Sequence, residues 1–269
     1  MRRTLNPTSR GLVVALFVGV GAVTTLAADT VRVAPSKDNS LFESSIGSLS
    51  NGGGIYLFTG ITRQAPADNA RRALLAFDVA GALPAGARIT NVTLTLTMNR
   101  TIAADSDVSV HRVLRDWGEG ASNAAGDEGS GTASQASDAT WIHTFFPGDR
   151  WNAAGGDFAP AASASTEVAG NGPYSWTSPE LAADVRGWLA LPASNFGWLL
   201  LGDEQGEVTA KRWGSRENPS DSPVLEIEFE LAPPPKVPAT TPWTLGALAA
   251  GIVTLGAIAL RRQSRGATD

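Results

Sequence analysis

The 269-residue chain has no cysteine, and it has only two histidines, two methionines and two tyrosines. Without cysteine no disulfide can staple an exported domain, which must then be stable through its own core. His111 and His143, with no HExxH and no cysteine beside them, leave zinc without a recognisable ligand set. No G-x-S-x-G marks a nucleophile elbow, and no glycine loop of the phosphate-cradling kind is present. Internal repeats are not visible either.

Long apolar runs are confined to the two ends. Residues 1–28 carry Arg2, Arg3 and Arg10, the run 11-GLVVALFVGVGAVTTLA-27 and the small pair Ala27–Ala28. This order predicts a secretory signal peptide, with an uncleaved anchor as the alternative. A proline-rich linker, residues 233–242, leads to the uncharged segment Trp243 to Leu260, which is long enough for a transmembrane helix. Arg261, Arg262 and Arg265 follow in a basic tail, residues 261–269, that the positive-inside rule places in the cytoplasm. Residues 29–232 are therefore expected on the extracellular face. The spacer, apolar segment and arginine pair resemble PEP-CTERM-type sorting signals, although 237-VPATTPW-243 stands where that family has Pro-Glu-Pro. A sorting helix that is cleaved off and a permanent membrane anchor both stay open.

Residues 29–232 hold 14 basic against 25 acidic side chains, a net charge of −11. Such a charge keeps a domain soluble and argues against nucleic acid as a partner; an anionic ligand would need a local basic patch.

Within this part, short alternating runs are separated by Gly, Pro, Asn, Asp and Ser. In 91-NVTLTLTMN-99 the apolar Val92, Leu94, Leu96 and Met98 alternate with Thr93, Thr95 and Thr97, the period of a half-buried strand. Comparable runs lie at 54–60, 72–79, 107–114, 196–202, 207–213 and 223–230. About nine or ten strands at this spacing predict an all-β fold, an antiparallel β-sandwich of jelly-roll kind. One short helix interrupts it at 178-SPELAADVRGWLAL-191: Ser178 suits the N-cap, Pro179 the first turn and Glu180 the positive end. Leu181, Val185 and Trp188 recur on one face, so Trp188 is expected in the core. The stretch 119-EGASNAAGDEGSGTASQAS-137 reads as a long loop.

Several segments taken in order, 72-RALLAFDVAGALPAGARITNVTLTL-96, 116-DWGEGAS-122, 184-DVRGWL-189, 197-GWLLLGDE-204 and 211-KRWGSRENPSDSPVLEIEF-229, resemble the DNRLRE domain family of bacterial secreted and surface proteins. That resemblance implies a β-sandwich of carbohydrate-binding-module type, with relatives linked to acidic polysaccharides such as alginate. Most members have no established activity.

Sugar modules stack aromatic rings on pyranose faces, and a uronate carboxylate is best met by arginine. In 207-EVTAKRWGSREN-218 alternation places Thr209, Lys211 and Trp213 on one face, read as the wet one. Arg212 shares the other with Val208 and Ala210, where it and Arg216 are expected to tie the loop. In 140-TWIHTFFPGDRWNAAGGDF-158 the phenylalanines read as core, whereas Trp151 follows a turn and is the exposed candidate. The expected ligand-binding set is Trp213, Lys211 and Trp151, with His143 and Arg216 as polar support.

Paired carboxylates are the remaining catalytic option: Asp116 with Glu119, Asp127 with Glu128, or Asp203 with Glu204 and Glu207. All sit in loops, where acids are commonly just solvated. No catalytic residue, no cofactor and no metal ligand is assigned; a structural calcium remains open without assignable ligands. The leading expectation is a non-catalytic, surface-displayed polysaccharide-binding module. A structural or adhesin protein and, third, a polysaccharide-active enzyme are the alternatives.

Overall fold

The computed structural model describes residues 28–63 and 69–232. The expected signal peptide, linker, membrane or sorting helix and basic tail lie outside the described residues. Among those described, no helix is long and apolar enough to cross a membrane.

Fifteen strands follow one another: β1 (Asp29–Val33), β2 (Pro35–Phe42), β3 (Leu49–Ser50), β4 (Tyr56–Ile61), β5 (Ala70–Phe77), β6 (Ala87–Thr101), β7 (Ser106–Arg112), β8 (Thr132–Ala133), β9 (His143–Phe145), β10 (Asp149–Arg150), β11 (Ala164–Val168), β12 (Gly172–Thr177), β13 (Trp198–Leu201), β14 (Lys211–Gly214) and β15 (Val224–Leu231). Among the described residues two α-helices, α1 (Val79–Ala82) and α2 (Pro179–Ala190), and a single 3-10 turn, Pro192–Ser194, accompany them. The chain is mostly β. One curled sheet runs β1-β15-β6-β14-β4-β5-β13-β7-β11, with β12 added to β6 and β2 to β5. Each pairing in it is antiparallel.

β4 joins the two halves. Its residues Tyr56 to Thr59 pair with β14, whereas Gly60 and Ile61 pair with β5. The change of partner falls at Gly60, whose φ is +87° and whose missing Cβ would lie 2.6 Å from the Thr209 carbonyl oxygen. Only glycine takes that backbone region and that approach without strain.

Curling brings one face of each half into a single core. Val92, Leu94, Leu96 and Met98 of β6 and Leu225, Ile227 and Phe229 of β15 meet Ala73, Leu75 and Phe77 of β5, Val108 and Val110 of β7, and Trp198 and Leu200 of β13. The threonines of β6 point the other way and are half-exposed, which explains the clean alternation of that strand. β5 and β13 lack such alternation because both of their faces are covered. Leu74, Ala76 and Leu199 enter a second apolar cluster with Leu41, Val113, Trp117, Trp141 and Trp151. The long excursion between β7 and β11 supplies most of that cover.

α2 forms as expected. The Ser178 hydroxyl accepts from the Leu181 N–H at 2.9 Å, Pro179 occupies the first turn, and Leu181, Val185 and Trp188 are buried. Trp188 packs on Trp198 with ring centroids 4.5 Å apart. The 119–137 stretch is irregular apart from the two-residue strand β8, which pairs with β3.

Candidate functional site

The strand containing Lys211 and Trp213 presents the opposite face from the one expected. Trp213 is fully buried: it donates from Nε1 to Thr59 Oγ1 at 3.0 Å and meets Trp176 edge-on at 5.6 Å. Lys211, on the same face, is buried at the core's rim and donates to the Ala104 carbonyl at 3.2 Å. Burial lowers its pKa, against the pull of Asp105 and Asp203. The expectation of a wet basic-aromatic pair is thereby corrected. A Trp ring outweighs Thr and Lys in deciding which face turns inward, since it has far more apolar area to remove from water.

Trp151 is also buried, its Nε1 donating to the Thr140 carbonyl at 2.9 Å within the second cluster. His143 is buried beside it, with Nδ1 3.0 Å from Thr140 Oγ1 and its ring edge-on to Phe146. Desolvation, aided by the Arg150 charge, pushes its pKa down. Neither offers a sugar-stacking face. All seven described tryptophans, at 117, 141, 151, 176, 188, 198 and 213, are buried, and no aromatic side chain is among the exposed large apolar residues.

Arg216 alone of the expected set reaches the surface. Its Nε and Nη2 bind the two Glu119 carboxylate oxygens at 3.0 Å each, and Nη2 lies 2.5 Å from Glu217 Oε1. These bonds keep its charge favoured even though burial opposes it. Its backbone N–H donates to Asp38 Oδ2 at 2.6 Å. Burial raises the Asp38 pKa well above the usual carboxylate range; that N–H opposes the rise, and Glu217 and Glu119 add to it. The loop-tying role expected of Arg216 matches these contacts.

A groove of about 650 Å³ opens where the end of β6 and β14 run under the 125–131 segment. Its walls include Phe58, Arg63, Arg100, Ile102, Asp127 and Arg212. Arg212 lies flat on Tyr56, 3.7 Å from the ring centroid, and donates from Nε to Asn99 Oδ1 at 2.8 Å. A bulge in the pairing of β14 with β6 sets Arg212 opposite Arg100. Both guanidinium groups close on the exposed Asp127 carboxylate, Arg100 at 2.5 Å and Arg212 at 3.0 Å. Arg100 first, then Arg212, hold Asp127 below its ordinary pKa. Ile102 stands 87% exposed at the rim, an apolar surface beside the charges.

The candidate catalytic carboxylates are engaged by partners. Asp116 takes Lys37, Glu204 takes Arg72 through two bonds at 2.7 and 2.8 Å, and Glu207 takes Arg63. Glu128 accepts from the Tyr56 and Ile55 N–H groups and from Asn51. Ser109 Oγ does lie 2.9 Å from His111 Nε2, whose Nδ1 faces the Ala159 carbonyl, but neither residue lines the groove. Sequence reasoning missed Arg100 and Asp38; the signal available for Arg100 was its place just past the alternating run of β6. Neither a scan of protein-family models nor a search of curated proteins finds a match for this chain.

Proposed function

We infer that the chain is an exported, surface-displayed module that binds acidic polysaccharide without cleaving it, its curled sheet being a jelly-roll-like β-sandwich of the DNRLRE kind. The arginine pair Arg100–Arg212 carries this reading. A domain with net charge −11 repels polyanions except where basic groups are concentrated, and the groove brings both guanidinium groups to one carboxylate. Asp127 occupies the place a uronate would take: its side chain is 71% exposed, and a sugar carboxylate offers the same two-oxygen geometry to the same forks. Ile102 supplies apolar contact for a pyranose face in place of an aromatic platform.

Affinity electrophoresis of the full-length chain through gels containing alginate or a neutral glucan tests the proposal. Retardation is expected in alginate alone. Arg100→Ala and Arg212→Ala abolish it, and Asp127→Asn, by removing the internal competitor, increases it several-fold. Equal mobility in both gels, or retardation unchanged by both arginine variants, sinks the idea. The burial of every described tryptophan favours the second reading, a structural surface protein without a glycan site, and that reading follows if both gels run alike.

A further inference from the structure

Away from the groove, Asp38 on β2, Glu119 in the excursion and Glu217 in the closing turn each bring a carboxylate oxygen within 4.8 Å of the other two. We propose that these three side chains form a calcium site, with Asp38 as the innermost ligand and Glu119 and Glu217 closing it from the surface side.

The Asp38 side chain is fully enclosed. Its Oδ2 accepts the Arg216 N–H, but its Oδ1 is buried with no hydrogen-bond partner. An enclosed carboxylate oxygen left unpaired is expensive, and a cation held there removes the penalty. Opposite oxygens in a calcium sphere with bonds of about 2.4 Å are about 4.8 Å apart, so the three ligand oxygens fit within one sphere. The donors are all oxygen, which suits a hard ion and not zinc or copper.

Charge points the same way. Burial disfavours the charged forms of Asp38 and Glu217; with all three carboxylates ionised by a bound cation they would face one guanidinium, that of Arg216, since Lys37 is taken by Asp116 at 2.7 Å. Two negative charges remain, the charge of one divalent cation. Glu119 Oε1 is filled by Arg216 Nε and the Asp38 N–H, but Glu119 Oε2 and Glu217 Oε1 each give Arg216 one lone pair and keep a second for a metal. The ligands are also held in place: the Asp38 N–H donates to Glu119 Oε1 at 2.9 Å, and Asn39 Nδ2 donates to the Glu119 carbonyl at 2.7 Å. An ion here ties β2, the excursion and the closing turn together.

The test is calorimetric titration of the chelator-treated full-length chain with CaCl₂ and then MgCl₂, with thermal unfolding in parallel. A single calcium site is expected, with magnesium at least tenfold weaker. Calcium at about 100 times its Kd should raise the unfolding midpoint by about 5–10 °C. Asp38→Asn abolishes binding, Glu217→Gln weakens it at least tenfold, and Glu226→Gln on the remote strand β15 leaves it unchanged. If far-UV circular dichroism shows Asp38→Asn unfolded, Glu217→Gln decides alone. Absence of heat and of a thermal shift in the wild type at millimolar calcium, or undiminished binding by folded Glu217→Gln, overturns the site and leaves an arginine-carboxylate clasp.

Discussion

Trp213 touches Trp176, Tyr174 and the Thr59 hydroxyl, and no part of its ring reaches water. Trp213→Ala removes the anchor of the β14 inner face and should destabilise the protein by about 3–5 kcal/mol, the usual range for emptying a large aromatic site. Urea unfolding measures it; a loss below about 1 kcal/mol would show the ring to be dispensable. Arg212, its neighbour in sequence, has the opposite part to play, since it faces the groove and the Asp127 carboxylate. The sequence-based reading placed Trp213 on the wet face, where it is not, and expected Arg212 to reach a carboxylate across the loop, as it does at Asp127. Alternation alone labels faces without saying which one is wet, and it was the size of the indole, not the polarity of Thr209 and Lys211, that settled the matter. Arg216 was expected both to tie its loop and to support a ligand; its ion pairs lie within its own turn and the adjoining excursion, as a loop tie requires.

Elements with a strict period were legible. β6 and β15 alternate, and α2 has both a capped start and an apolar stripe. Ser178 holds that start by accepting from Leu181 N–H while donating to the Ser163 carbonyl, so Ser178→Ala should cost about 1 kcal/mol, read as a lowered denaturation midpoint with unchanged slope. A midpoint identical to wild type would mean the helix is held by packing alone. β2 escaped notice for a physical reason. Asp38, Asn39 and Ser40 are polar yet buried: Asn39 bonds the Ala139 carbonyl and Ser40 the Phe58 N–H, 100 and 18 positions away, while Asp38 Oδ2 accepts from the Arg216 N–H and its Oδ1 has no protein partner. No local pattern records such partners. β11 and β12 were missed likewise: their polar outward faces dilute the apolar signal.

At the scale of the whole molecule, the all-β class and antiparallel character followed from turn spacing, but the expected nine or ten strands fall short of the fifteen described, and the curl was not foreseen. It depends on β4 changing partners at Gly60, a long-range event that the residues nearby do not announce. The groove and the carboxylate cluster have the same origin. Asp127 meets Arg212 across 85 positions, and Asp38 meets Arg216 across 178, so neither constellation exists until the sheet has closed. The double cover on β5 and β13 also orders the molecule in time. Their amides are flanked by strands on both edges and by apolar clusters on both faces, so they can meet deuterium only when nearly everything else has come apart. Leu74, Leu75, Leu199 and Leu200 should exchange last and at close to the global unfolding free energy, while the edge strands β1 and β11 exchange early. Mass-spectrometric hydrogen exchange would show the reverse order if the β6–β15 half were instead the part that opens last.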